Sequence, residues 1–245
     1  MSKRAVILAG GKGSRLRPYT VVLPKPLMPI GEFPILEVVV RQLADNGFDH
    51  ITMAVNHQAE IIKAYFNSGS KWGIKIDYSL ERKPLGTMGP LKLIDDLPEH
   101  FLVMNGDVLT DLDYSAFYRE HVFSGNTLTI SSCARELRSE FGVLEIDGFN
   151  TLQGFHEKPV TKHNVSMGVY MLTREVLGYI PADREYGFDE LIKDMMEVEE
   201  EVHVRMHEGF WLDIGRPDDY IQAIDMFEEN AEMFLGAYHV ARAAV

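Results

Sequence analysis

Four consecutive apolar residues, Ala5-Val6-Ile7-Leu8, run almost directly into Gly10-Gly11-Lys12-Gly13-Ser14-Arg15-Leu16-Arg17-Pro18-Tyr19-Thr20, followed by Pro24-Lys25-Pro26-Leu27. The apolar run reads as a buried strand, and a long loop extends from Ala9 to Phe33. Glycines at 10, 11 and 13 let the backbone approach a ligand closely, because no Cβ stands in the way. Successive N–H groups in such a turn form a nest for an anion. Lys12, Arg15, Arg17 and Lys25 add positive charge to the same loop. The whole chain has 37 acidic against 24 basic residues and a formal charge of −13, so this concentration of cations is not a generic surface.

Two common phosphate motifs do not fit. A dinucleotide fingerprint needs Gly or Ala three residues after Gly13, where Leu16 stands. No Gly-Lys-Ser/Thr closes a six-residue glycine frame, which removes the P-loop. The acidic balance also excludes nucleic-acid binding through a broad basic surface. Cys133 is the only cysteine, so neither an internal disulfide nor a multi-cysteine zinc site can form. Lys3-Arg4 and the short apolar run after it do not make an export signal. No stretch approaches the ~18 apolar residues of a membrane span. The expectation is a soluble protein of the reducing cytoplasm, without membrane or nucleic-acid partners.

With 245 residues and 46% apolar composition, the chain can bury a core. Strands are expected at 5–8, 51–55, 74–78 and 101–104, with helices opened by Pro34 and running at 59–66 and 87–94 between them. Such alternation predicts a mostly parallel mixed sheet flanked by helices. Strands at 128–132, 142–146, 152–156, 165–172 and 202–206 follow, interrupted by helices near 174–180 and 188–196. A last helix at about 217–235 carries Tyr220, Ile224, Phe227, Ala231 and Phe234 as one apolar stripe. That stripe, with Leu235, suits either the core or the face of a homodimer. No linker or repeat interrupts the chain, and one α/β domain over 1–245 is expected.

The glycine-basic block and Pro24-Lys25-Pro26-Leu27-Met28-Pro29 resemble the signature of the sugar-1-phosphate nucleotidylyltransferases, in particular short mannose-1-phosphate guanylyltransferase-like members. The resemblance continues through Leu85-Gly86-Thr87, Asn105-Gly106-Asp107, Phe141-Gly142-Val143, Glu157-Lys158-Pro159 and Trp211-Leu212-Asp213-Ile214-Gly215-Arg216-Pro217. It implies a single Rossmann-like nucleotide-diphospho-sugar transferase domain, with the chain ending too soon for the β-helical domain some members add. It implies transfer of a nucleoside monophosphate from an NTP to a sugar 1-phosphate, with Mg²⁺ and release of pyrophosphate. Met88 and Ser166-Met167-Gly168 depart from the family's usual residues and leave the substrate open.

The chemistry is consistent with that reaction. A sugar phosphate, with a second pKa of ~6, is already an anionic nucleophile, so no catalytic base is needed. Repulsion between two polyanions and their in-line alignment must be overcome. The resemblance places Leu8, Ala9, Gly10, Gly11 and Gly13 around the nucleotide, with Arg15 and Lys25 on the triphosphate and transition state. It assigns Gly86 and Thr87 to the base side, and Gly142, Glu157, Lys158 and Ser166 to the sugar phosphate. Asp107, just past an apolar strand, lies where α/β sheets bind ligands. With Asp213 it offers the oxygen donors that suit Mg²⁺. Glu81, five residues before Gly86, is either an exposed loop residue or an acceptor for the two N–H donors of guanine. GTP is favoured over UTP, dTTP or CTP, and a mannose- or heptose-like sugar is expected. A silent nucleotide-sugar-binding paralogue is the alternative from another class. His203, His207, Glu197 to Glu201 and Cys133 read as structural or solvated.

Overall fold

The computed structural model describes residues 2–236. In chain order the strands are β1 (Arg4–Leu8), β2 (Pro29–Ile30), β3 (Phe33–Pro34), β4 (His50–Val55), β5 (Lys75–Leu80), β6 (His100–Asn105) and β7 (Val108–Thr110). They continue with β8 (Leu128–Arg138), β9 (Val143–Ile146), β10 (Leu152–His156), β11 (Val160–Thr173), β12 (Val202–His207) and β13 (Trp211–Asp213). The helices are α1 (Ile35–Asp45), α2 (Ala59–Phe66), α3 (Tyr114–Ser124), α4 (Phe188–Glu197) and α5 (Pro217–Glu229).

Seven strands form one sheet in the order β12-β8-β11-β6-β1-β4-β5. Every neighbouring pair is parallel except the two that β11 makes, antiparallel to β6 and to β8. The fold is therefore the expected α/β domain with a mostly parallel mixed sheet. Alternation along β1 explains its layers. Ala5 and Ile7 face one core with Leu36, Val39 and Ile62. Val6 faces the other with Leu91, Val103 and Leu191. A third cluster joins Leu16, Ile30 and Val38 to Leu212, Ile214, Phe227 and Phe234. The C-terminal stripe is thus spent on the chain's own core: Phe227, Phe234 and Leu235 are all buried, which removes it as a homodimer face.

Three expectations need correction. Residues 87–94 form a 3₁₀ turn, Gly89–Leu93, instead of an α-helix. The N–H groups of Met88 and Gly89 bond to Tyr186 O at 3.0 and 3.2 Å and so take no part in a helix. The 174–180 helix is likewise a 3₁₀ turn, Arg174–Gly178. Helix α3 was not expected, because its buried positions are Tyr114, Phe117 and His121, not an aliphatic stripe. Its ends are nonetheless marked: Asp113 Oδ1 accepts from Ala116 N–H at 2.7 Å, and Gly125 stops it at φ 67°.

Candidate active site

Parallel pairing decides where the site lies. Leu8 is aligned with Ala54 and Asn105, and Val55 with Leu80, so the C-terminal ends of β1, β4, β5 and β6 share one edge. Everything that follows those ends, Gly10 and Gly11, Asn56, Glu81 and Asn105 to Asp107, converges there, as ligands require in open α/β sheets. A cleft of about 330 Å³ opens between them, lined by Leu8, Gly10, Gly11, Lys12, Glu81 and Gly86, with Asn56, Pro84, Leu85, Thr87, Pro90, Asn105 and Glu185 completing its walls.

The basic loop is held by its own contacts. Ala9 N–H donates to Ala54 O at 2.9 Å, keeping the exit from β1 on the sheet. Gly13 adopts φ 59°, and a Cβ there would stand 2.9 Å from Thr20 Cγ2 and 3.0 Å from Lys25 Cβ. Thr20 Oγ1 donates to Gly13 O at 2.7 Å. Ser14–Leu16 then winds one 3₁₀ turn that buries Leu16 and leaves Arg15 exposed. Only glycine permits this packing, which brings the Lys25 backbone beside the first turn of the loop.

Lys25 extends from a second 3₁₀ turn, Lys25–Leu27, and its Nζ donates to Asp107 Oδ2. Both side chains are largely buried. The β7–β13 ladder brings in Asp213: it pairs with Val108, and Ile214 N–H donates to Asp107 O at 3.1 Å. Burial, and next the charge of Asp107, raise the Asp213 carboxyl above its ordinary range, while Lys25 and Arg15 pull it back. A Cβ on Gly215 would lie 3.3 Å from Asp213 Oδ2 and 3.6 Å from Arg15 Nη2. Arg15, Lys25, Asp107 and Asp213 therefore form one constellation from segments far apart in sequence. Two carboxylates that repel one another across a buried edge are a fit for a divalent cation of the oxygen-seeking kind, which would complete its shell with phosphate oxygens and water. Among the described residues no group of three or more His, Cys, Asp or Glu could hold a metal alone.

In the wall of the cleft, Glu81 is half-buried directly after β5, its N–H bonded to Val55 O. A Cβ on Gly10 would stand 3.1 Å from Glu81 Oε1. Burial pushes the Glu81 carboxyl up, partly offset by hydrogen bonds from Leu85 N–H and the Asn56 side chain. Gly86 (φ 75°) rests on the Tyr186 backbone, and a Cβ there would meet Tyr186 O at 2.5 Å. Thr87 Oγ1 accepts from Phe188 N–H at 2.8 Å. Met88 is wholly buried.

The residues expected on the sugar side occupy different supports. Gly142 and Glu157 are neighbours, a Cβ on Gly142 lying 3.1 Å from Glu157 Oε2. They stand with Lys158 (φ 45°) on an exposed arm formed by β9 and β10. Ser166 sits where the β8–β11 register breaks, its Oγ 3.2 Å from Tyr170 Oη and accepting from Gly168 N–H at 3.3 Å. No hydrogen bond or ion pair described links the arm residues to Lys25, Asp107 or Asp213. Asn56, Asn105 and Tyr186 were missed as site residues. Asn56 follows β4 and Asn105 ends β6, both at the C-terminal ends of buried strands, a signal that was available; Tyr186 acts through its backbone, which no sequence pattern reports.

A model of the family described as nucleotidyl transferase matches residues 4–230. The chain is 35% identical over 241 residues to a UTP–glucose-1-phosphate uridylyltransferase of Synechocystis, covering 90% of this chain and 62% of the relative. It is 33% identical over 235 residues to the mannose-1-phosphate guanylyltransferase catalytic subunit beta of Danio rerio, covering 93% and 65%. The chain thus spans a little under two thirds of the length of these curated relatives. The crystal structure of HddC from Yersinia pseudotuberculosis complexed with GMP-PN is similar at a TM-score of 0.68 and 26% identity, over 92% of this chain and 99% of that one.

Proposed function

The chain belongs to the nucleotidyl transferase family, and on that premise we propose that it transfers GMP from GTP to a manno-configured sugar 1-phosphate. An oxygen of the sugar phosphate attacks the α-phosphorus. The bond from that phosphorus to the bridging oxygen breaks, and pyrophosphate leaves with the electron pair. The observation that carries this proposal is the joining of Lys25, Arg15, Asp107 and Asp213 at the C-terminal edge of the sheet, Asp107 standing two residues past Asn105 in the wall of the glycine-lined cleft. The nucleophile is already an anion, so the protein must neutralise and align. Lys25 and Arg15 face the phosphates, and the glycine turn lets backbone N–H groups approach them. Asp107 and Asp213 would hold Mg²⁺, which supplies charge neutralisation when bound.

Guanine is favoured by Glu81. An ionised carboxylate only accepts, and it meets the adjacent N1–H and N2 amine of guanine with two acceptor oxygens; uracil and thymine offer an acceptor beside a donor. Asn56 and Leu85 N–H fix that carboxylate in the cleft. The GMP-PN complex of HddC is in keeping with this choice, while the similarity to a uridylyltransferase makes UTP the competing nucleotide. On the sugar side, Glu157 would accept from hydroxyls, Lys158 would bind the phosphate, and Gly142 would let the sugar approach the backbone.

The test is pyrophosphate release with Mg²⁺, each of GTP, UTP, dTTP, CTP and ATP, and a panel of sugar 1-phosphates. Release is expected with GTP and a manno-configured sugar. Release with another nucleotide alone would overturn the role of Glu81, and silence across the panel would leave a binding protein.

A further inference from the structure

We propose that Glu185 is a specificity-determining residue of the cleft, a second carboxylate that accepts the remaining N–H of a guanine N2 amine. This rests on the guanine reading of Glu81 given above. Two segments far apart in sequence are joined around Glu185. Tyr186 N–H donates to Leu85 O at 2.9 Å, and Tyr186 O accepts from Met88 and Gly89 N–H at 3.0 and 3.2 Å. Phe188 N–H donates to Thr87 Oγ1 at 2.8 Å, and Lys83 Nζ to Asp183 O at 2.7 Å. Tyr186 is buried, and its hydroxyl donates to Asp194 on α4. These bonds fix the backbone on both sides of Glu185, which lines the cleft together with Glu81 and Gly86.

The charges near this position are unevenly satisfied. Asp183 is paired with Lys83 at 2.8 Å, and Arg184 with Glu190 at 3.7 Å. The Glu185 side chain is exposed, and among the described residues its carboxylate makes no hydrogen bond or ion pair. The charged residues lining the cleft are Lys12, Glu81 and Glu185, so one cation faces two carboxylates. Both acids repel a triphosphate. The part of a nucleotide that meets them must therefore be the part that donates hydrogen bonds.

Guanine carries such hydrogens along one edge, one on N1 and two on N2. A carboxylate that takes N1–H and the nearer N2 hydrogen leaves the second N2 hydrogen without an acceptor. A donor left unpaired on binding costs affinity, and Glu185 supplies the missing oxygen. Uracil and thymine present a single N–H flanked by two carbonyl oxygens, and so would turn acceptors toward a carboxylate. The same residue attracts guanine and rejects pyrimidines, which is how specificity is built from attraction and repulsion together.

Calorimetric titration of the full chain with GTP, UTP and ITP reads this contact, because the hypoxanthine of ITP lacks the N2 amine. The wild type is expected to bind GTP more tightly than ITP. In Glu185→Ala the GTP-to-ITP affinity ratio should fall about tenfold, the scale of one hydrogen bond to a charged acceptor. Glu185→Gln, which keeps one acceptor oxygen, should lie between the two. A role confined to the shape of the cleft would weaken both purine nucleotides alike. A ratio unchanged in Glu185→Ala would overturn the proposal and leave the guanine reading standing. A wild type that binds UTP more tightly than GTP, or binds neither, would overturn both.

Discussion

Lys25 donates from Nζ to Asp107 Oδ2, closing 82 residues of sequence two residues past Asn105 of the cleft wall. The pair holds a carboxylate in place that would otherwise be repelled by Asp213. Replacing Asp107 by Asn keeps the shape and removes the charge. Pyrophosphate release should fall by about 10²-fold or more, the scale of lost electrostatic stabilisation at a reacting phosphate. Far-UV circular dichroism should be unchanged. Wild-type turnover in this variant would refute the assignment.

Glu81 gives a prediction in pH. Burial raises its pKa in the folded chain, so as pH falls it becomes protonated earlier than an ordinary carboxylate and loses one acceptor. The KM for GTP should rise on mild acidification. In Glu81→Gln that pH dependence should vanish, with the GTP KM raised about 10- to 100-fold, the cost of one or two mispaired polar groups, and UTP discriminated against less. Equal pH profiles for the two proteins would exclude Glu81 from base binding.

Gly86 lies on the Tyr186 backbone with a positive φ. Ala at this position has no low-energy conformation and no room, since its Cβ would overlap Tyr186 O. A loss of about 1–3 kcal/mol in stability is expected, read as a lowered denaturation midpoint. The GTP KM should increase more than kcat falls, because the displaced residues 85–87 line the cleft proposed to hold the base. An undisturbed KM would separate that loop from the nucleotide.

His121 sits in the core between α3 and the sheet, its Nδ1 2.8 Å from Thr129 Oγ1 and its Nε2 buried without a hydrogen-bond partner among the described residues. Burial first, then His100 and His203, lowers its pKa from 6.5 to about 4. The unfolded chain takes up a proton near 6.5, whereas the folded one does not until about 4. Stability is complete above pH 6.5 and declines as pH falls through that window, by about 3 kcal/mol at its lower end. Urea midpoints between pH 7 and 4 would show this slope. Its persistence in His121→Gln would assign it to other groups.

The layers of the fold were legible because β1 and β6 carry continuous apolar runs, Ala5–Leu8 and Phe101–Met104, as strands covered on both faces do. The loop around Gly13 was legible for the opposite reason: glycine marks what cannot be there. Glu81 was visible as a residue but not as a wall of the cleft, since its place depends on the β4–β5 register. Helix α3 escaped notice because Tyr, Phe and His bury its inner face, and its Asp113 and Gly125 boundaries were the only remaining signals. The turn at 89–93 was misread because Met88 and Gly89 find their acceptor on Tyr186, nearly a hundred residues away.

The lone reversed strand, β11, has a consequence for how this chain can vary. Because β8 and β11 run antiparallel, the excursion that departs after Arg138 returns at Val160 on the same cross-strand pair. Its length and composition can change without shifting any register inside the main sheet. Gly142, Glu157 and Lys158, proposed above to bind the sugar phosphate, ride on this detachable insert, while Lys25, Asp107 and Glu81 belong to the fixed frame. Under the proposed function, transplanting this single short segment exchanges acceptor preference and leaves the proposed nucleotide-binding residues as they stand.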